Sequence, residues 1–294
     1  YEILGRVVGS EMCIRDRRVT CPDSLGLVAK VSNFLNEQNL FIKDSAHYGD
    51  PITKKFFMRV KVVSPNQKIN KENFDKTFSV LAEEVSMDWS FHNAILKPNT
   101  IIFVSKYSHC LQDLLYRASV DSLKINIKSV ISNHPDLEKI VSDYGIPFHY
   151  IEVTKDNKFD VETKMSKIIE NDNIDLIILA RYMQILSTDF CNKYFGKIIN
   201  IHHSFLPSFK GAKPYHQAYE KGVKILGATA HYVTSELDEG PIIEQTVDRI
   251  DHSKSPEDME IIGRDIESIT LAKAVQYQSE QRIFLNDNKT VIFK

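Results

Sequence analysis

The chain has 294 residues, 43% of them hydrophobic and 26% charged, with a formal net charge of −2. That length exceeds one ordinary domain and suits two. The charges are interspersed without a sustained basic face, which argues against a nucleic-acid partner, and no apolar run reaches the length of a membrane span. The four cysteines, Cys13, Cys21, Cys110 and Cys191, show no CxxC spacing. This predicts reduced thiols in the cytoplasm, without a disulfide framework or a zinc knuckle.

The chain begins at Tyr1 with no signal-peptide pattern. Residues 1–17 do not join smoothly to the segment that starts at Arg18. They resemble a translated sequencing-adaptor read-through, and read as a non-native extension without functional content.

A first module is expected over residues 18–93. Leu27, Val28, Val31, Phe34 and Leu35 recur at helical spacing, with Asp23 or Ser24 as the expected cap. Leu40–Ala46 reads as a strand. Met58, Val60 and Val62 alternate with Arg59 and Lys61, as in a half-buried strand. Phe74, Phe78, Leu81 and Val85 mark a second amphipathic helix. Met87, Trp89 and Phe91 mark another strand. With a strand before the first helix, the order is β-α-β-β-α-β, a ferredoxin-like sandwich. The stretch Cys21–Ala29 resembles the start of an ACT domain. That resemblance implies regulation by an amino acid at Asp23, Gly26 and Leu27, and pairing of subunits into a homo-oligomer. Taken alone, Gly26 fits equally well as a turn residue.

Residues 94–99, which include Pro98, read as a linker. From residue 100 to 294 the pattern changes. Ile101–Val104, Ile125–Ile131, Phe148–Val153, Leu176–Leu179, Lys197–Ile201 and Ala228–Val233 read as strands. Helices are expected through Cys110–Ala118, Pro135–Tyr144, Val161–Ile169 and Pro256–Arg282. Alternating strands and helices predict a mostly parallel, Rossmann-like sheet, giving an α/β chain overall. Ligands bind outside the carboxyl ends of such strands.

The chemistry gathers at two such ends. Asn200 and His202 alternate, so they share one side of their strand. His231 lies on the next strand, before the turn Ser235-Glu236-Leu237-Asp238-Glu239-Gly240. An amide can donate to a developing oxyanion, and a histidine can donate to the same oxygen or shuttle a proton. A carboxylate can orient or deprotonate a water and hold a histidine in place. Four histidines, His202, His203, His216 and His231, lack any helical H-x-x-x-H pattern, so no metal is expected. Nor does a G-x-G-x-x-G motif open the first helix of this sheet, which disfavours a dinucleotide oxidoreductase.

The spaced set Asn200-x-His202, Ser204-Phe205-Leu206-Pro207, His231 and Asp238 resembles the folate-dependent formyltransferase family over residues 100–294. The resemblance implies that Asn200, His202 and Asp238, with His231 beside them, are catalytic. It also implies that Arg181, Tyr182, Met183, Gln184, Ile185 and Leu186, with Ser235, Glu236 and Leu237, line a pterin pocket. No cofactor is expected, because the folate is the substrate. The stretch 105–111 after the first strand of the sheet has no glycine, which disfavours a backbone cradle for a ribotide phosphate. The segment 209–219 and the ACT-first order resemble the deformylase branch, where water is the acceptor. The implied reaction is hydrolysis of 10-formyltetrahydrofolate to tetrahydrofolate and formate, feeding formate to purine synthesis and balancing one-carbon folate pools. The alternatives are formyl transfer to an unidentified amine, and a folate-binding amino-acid sensor.

Overall fold

The structure, a computed structural model, describes residues 13–64, 71–93, 96–206 and 214–294. The chain divides into two compact units. One extends to Leu96 and takes in Val291–Lys294; the other runs from Lys97 to Thr290.

The first unit contains β1 (Cys13–Pro22), α1 (Leu27–Glu37), β2 (Phe41–Gly49), β3 (Lys55–Ser64), α2 (Lys71–Glu84) and β4 (Asp88–Asn93). Its antiparallel sheet has the order β2-β3-β1-β4, which is the ferredoxin-like arrangement. The helical spacing read from the sequence is the buried stripe: Val31 and Leu35 of α1 and Phe74 and Phe78 of α2 pack with Val19, Met58, Val60, Val62 and Phe91. Phe74 stacks on Phe91 at 4.5 Å between ring centroids.

Three local readings differ from the sequence expectation. The cap of α1 is Gly26, at φ 83°, without a side-chain bond from Asp23 or Ser24. Glycine enters the left-handed region at no steric cost, so the turn is closed by the backbone alone. Strand β3 is not half-buried, because Phe57 and Arg59 are buried as fully as Met58 and Val60. It is flanked by β1 and β2, and Arg59 is paired with Asp16 at 2.9 Å and Asp44 at 3.5 Å. Residues 13–17 form the first half of β1, in register with β3 from Cys13 opposite Ser64 to Arg17 opposite Val60. Burial pushes the Asp16 carboxyl up, against the pull of the Arg59 charge.

The second unit begins with β5 (Asn99–Val104), α3 (His109–Ser119), β6 (Asn126–Ser132), α4 (Glu138–Ser142), β7 (Phe148–Tyr150) and α5 (Lys158–Asn171). It continues with β8 (Leu176–Leu179), α6 (Thr188–Lys193), β9 (Ile198–His202), α7 (Pro214–Glu220), β10 (Ile225–Tyr232), β11 (Ile242–Arg249) and α8 (Pro256–Ser279). A separate two-stranded sheet pairs β12 (Ile283–Asn286) with β13 (Lys289–Ile292). The main sheet has the order β11-β10-β9-β8-β5-β6-β7. Strands β5 to β9 are parallel, and β10 and β11 are antiparallel. The helix expected from Pro135 starts later, at Glu138, and its first amide bonds back to the Pro135 carbonyl at 3.0 Å.

On one face of this sheet, Val161, Met165 and Ile169 of α5 and Phe190 of α6 pack on Ile101, Phe103, Ile177, Leu179 and Ile198. Helix α8 packs against α3, α7 and the strands β9, β10 and β11. A reciprocal cap starts α8: Ser255 accepts from the Asp258 amide, and Asp258 accepts from the Ser255 amide, with Pro256 next in the chain. Among the described residues, no helix is long and apolar enough to cross a membrane.

Candidate active site

The strand order reverses between β8 and β5, and the polar residues gather at the carboxyl ends of β5, β8 and β9. This is where an open α/β sheet leaves a crevice. Antiparallel register builds the centre of the site. Asn200 on β9 faces His231 on β10, and His202 faces Thr229. Directly opposed residues of an antiparallel pair share a face at close range, and the Asn200 amide Nδ2 donates to His231 Nε2 at 3.2 Å. The other ring nitrogen of His231, Nδ1, donates to the Tyr232 carbonyl at 2.8 Å. A carbonyl can only accept, so that contact places a proton on Nδ1 and leaves Nε2 to accept from Asn200. The amide keeps a second N–H for another acceptor.

Asp238 reaches the same centre from the loop after β10. Its Oδ2 lies 3.2 Å from His202 Nδ1, and its Oδ1 lies 3.6 Å from His231 Nε2, beyond hydrogen-bond range. Burial alone would push this carboxyl up. The contacts and charges of His202 and His231 outweigh it and hold the carboxyl well below the usual range. Asp238 is therefore ionised at neutral pH, and its contact with His202 Nδ1 orients that ring. The loop is fixed at its far end by Gly240, where an added Cβ would stand 1.8 Å from the Tyr232 carbonyl oxygen. Only glycine lets the chain return this close to β10, where the Tyr232 amide donates to the Pro241 carbonyl at 2.9 Å.

His202 is held through Nδ1, while its buried Nε2 has no hydrogen-bond partner among the described residues. The loop after it is tied to β10 by Thr229, which is fully buried. Its hydroxyl donates to the Ser204 carbonyl at 3.0 Å and accepts from the Leu206 amide at 3.1 Å. No motif in the sequence singled out Thr229; its signal is only that it sits two residues before His231. Residues 207–213, which carry the last proline of the Ser204 motif and the start of the 209–219 segment, lie outside the described residues.

The segment expected to line the pocket divides. Met183 and Ile185 are exposed, and Gln184 is half-buried. The Met183 amide is pinned by Ser105 Oγ at 2.9 Å, at the end of β5. Leu186 packs against the core. Tyr182 is core rather than lining: it is 7% exposed, meets Phe103 edge-on at 5.5 Å, and burial pushes its hydroxyl up. A residue that comes just after a buried parallel strand alternates inward, which the motif could not show. Ser235, Glu236 and Leu237 are exposed on the loop that carries Asp238.

Arg181 is not free to meet a ligand through its whole guanidinium. It lies at φ 63° and pairs with Glu267 at 3.3 Å, beneath the ring of Tyr107 at 4.9 Å. Glu267, on α8, is 1% exposed and is the hub of a network the sequence did not reveal. His109 Nε2 lies 2.7 Å from one carboxylate oxygen, and the Tyr215 hydroxyl donates to the other at 2.8 Å. Burial would push this carboxyl up; the hydrogen bond from His109, the Arg181 charge and the Tyr215 bond hold it down instead. Gly263 makes room, since a Cβ there would stand 2.1 Å from the Tyr215 hydroxyl. Among the described residues, His109, Cys110 and Glu267 are the trio that could reach one cation. Burial pushes the Cys110 thiol up, which keeps it protonated and a poor ligand.

The chain is similar to known proteins in sequence and in fold. A family profile described as formyl transferase matches residues 98–275. The chain is 45% identical to the formyltetrahydrofolate deformylase of Corynebacterium sp. (strain P-1), covering 93% of this chain and 96% of that one. It is 45% identical to the enzyme of the same description from Bacillus subtilis (strain 168), covering 94% and 92%. The crystal structure of a formyltetrahydrofolate deformylase from Pseudomonas syringae pv. tomato str. DC3000 superposes with a TM-score of 0.93 at 43% identity, over 100% of this chain and 98% of that one. This chain belongs to the formyl transferase family and, within it, to the formyltetrahydrofolate deformylases.

Proposed function

We infer that this chain hydrolyses 10-formyltetrahydrofolate to tetrahydrofolate and formate. The observation that carries the reading is the convergence of Asn200, His202, His231 and Asp238 at the carboxyl end of β9, in a chain 45% identical to named deformylases. The formyl oxygen faces the Asn200 amide and His202 Nε2, two donors where charge develops in the tetrahedral intermediate. Asp238 fixes the His202 ring, and His231, held by the Tyr232 carbonyl, fixes the orientation of the Asn200 amide. N10 leaves as an amine after taking a proton from His202. The pterin lies against Met183, Gln184 and Ile185, with the exposed Ser235–Leu237 loop over it. No cofactor enters this scheme.

The first unit serves as an ACT-type regulatory module that takes an amino acid near Asp23, Gly26 and Leu27. Its edge strand β2 supports pairing of subunits, since Phe41, Ile42 and Tyr48 are exposed there. Buried, free thiols at Cys21, Cys110 and Cys191 support a cytoplasmic location. Formate released there would supply purine synthesis. The test is a mixture of the purified chain with 10-formyltetrahydrofolate and no amine. Equal release of formate and tetrahydrofolate establishes hydrolysis; release only after an amine is added makes the chain a transferase.

A further inference from the structure

His203 comes directly after β9, and the hydrolytic scheme built on Asn200, His202 and Asp238 gives it no task. Its ring stacks on that of His202, with centroids 4.9 Å apart and planes 26° from parallel. It is half-buried, yet its ring nitrogens have no hydrogen-bond partner among the described residues. The other bases of the site are committed. Asp238 Oδ2 and His202 Nδ1 hold one another at 3.2 Å. Asn200 cannot accept a proton at its amide nitrogen.

The charged groups facing His203 come from four elements. They are His202 on β9, Arg181 after β8, Glu267 on α8 and Asp238 on the loop after β10. Burial first, then the charges of Arg181 and His202, push its imidazole down to about 4, with Glu267 and Asp238 opposing. At neutral pH the ring is uncharged and carries a free lone pair. It thus adds no positive charge beside His202, and the Glu267 carboxylate is placed to favour an imidazolium formed transiently.

We propose that His203 is a catalytic residue, the group that holds the attacking water and takes its proton as the water oxygen bonds to the formyl carbon. In that step the carbonyl electron pair moves to the formyl oxygen, where Asn200 and protonated His202 meet it. The water proton passes to His203. On collapse the carbonyl re-forms, the bond to N10 breaks, and N10 takes the proton of His202. The released formic acid returns a proton to His202, and His203 loses its own to solvent. One substrate and one water give one amine, one formate and one proton.

This inference rests on the hydrolase reading, and one experiment separates the two. Formate and tetrahydrofolate release from 10-formyltetrahydrofolate is measured without amine for the full wild-type chain and for His203→Ala and His203→Gln. The expected result is wild-type release of both products, and a loss of kcat of about a hundredfold in each variant with KM within about threefold, the range of one positioned base. Added imidazole restores part of the rate to His203→Ala, where space is left, and none to His203→Gln. Circular dichroism checks folding; should the alanine variant not fold, the glutamine variant, nearer in shape, decides. Wild-type release with kcat of His203→Gln within threefold overturns the role of His203 alone. A loss confined to KM, or a folded alanine variant that imidazole does not rescue, also overturns it. No release by the wild type overturns the hydrolase reading, and this inference with it.

Discussion

Replacing Asp238 by asparagine removes a charge without removing volume. The change converts the 3.2 Å contact to His202 Nδ1 from charge-assisted to neutral. Hydrogen bonds to charged groups contribute about 1.5–3 kcal/mol each. With that contact acting mainly in the transition state, about 1.5–3 kcal/mol of its stabilisation is lost, a fall in kcat of roughly tenfold to a hundredfold. Folate binding, which relies on the Met183 segment and the Ser235–Leu237 loop, stays within about threefold. Steady-state release of formate gives kcat, and intrinsic fluorescence titration with the folate gives affinity. A variant that turns over within threefold of wild type would remove Asp238 from the mechanism, and so would a loss confined to affinity. The same substitution has a pH signature. The folded-state carboxyl is depressed below its unfolded value of about 3.9. Its stabilisation is therefore complete above about pH 4 and fades as the pH falls toward the folded-state value. Wild type is expected to be more stable than Asp238→Asn at pH 7 in urea titrations, with the gap narrowing as the pH falls below about 4. A gap that widens in acid would contradict the assigned charge state.

The same geometry sets three further outcomes. Asn200→Ala lowers kcat by on the order of a hundredfold, with a smaller change in KM, because one oxyanion donor is lost; an effect on KM alone would reassign Asn200 to binding. Asp16→Ala removes the 2.9 Å ion-pair partner of the buried Arg59, and destabilises by about 3 kcal/mol or more in chemical denaturation. An unchanged midpoint would mean that residues 13–17 add nothing to the sheet. Phe78→Ala empties a fully buried position between Phe34, Phe74 and Trp89 and costs about 3–5 kcal/mol, read from the denaturant midpoint.

Much of this molecule is legible from residue spacing. Period-two alternation put Asn200 and His202 on one side of a strand, and the structure has them both at the carboxyl end of β9. Apolar residues at three- and four-residue intervals located α1, α3 and α5, because a helix must bury one stripe. The glycine-punctuated turn with its acidic residue marked the loop that carries Asp238. Other features had no local signature. Helices α6 and α7 are too short for periodicity to mark, and β11 is an edge strand with the mixed burial that blurs alternation. Tyr182 looked like its pocket-lining neighbours until the sheet turned it into the core.

The sequence by itself determined the two-unit α/β organisation and named Asn200, His202, His231 and Asp238, since those depend on local periodicity and on motif. Only the tertiary structure decided how they meet. Antiparallel register, not sequence distance, set His231 opposite Asn200. Burial on α8 made Glu267 the anchor of His109, Arg181 and Tyr215, which lie 158, 86 and 52 residues away. A buried carboxylate must find its donors wherever the fold brings them, and no local pattern records where that will be.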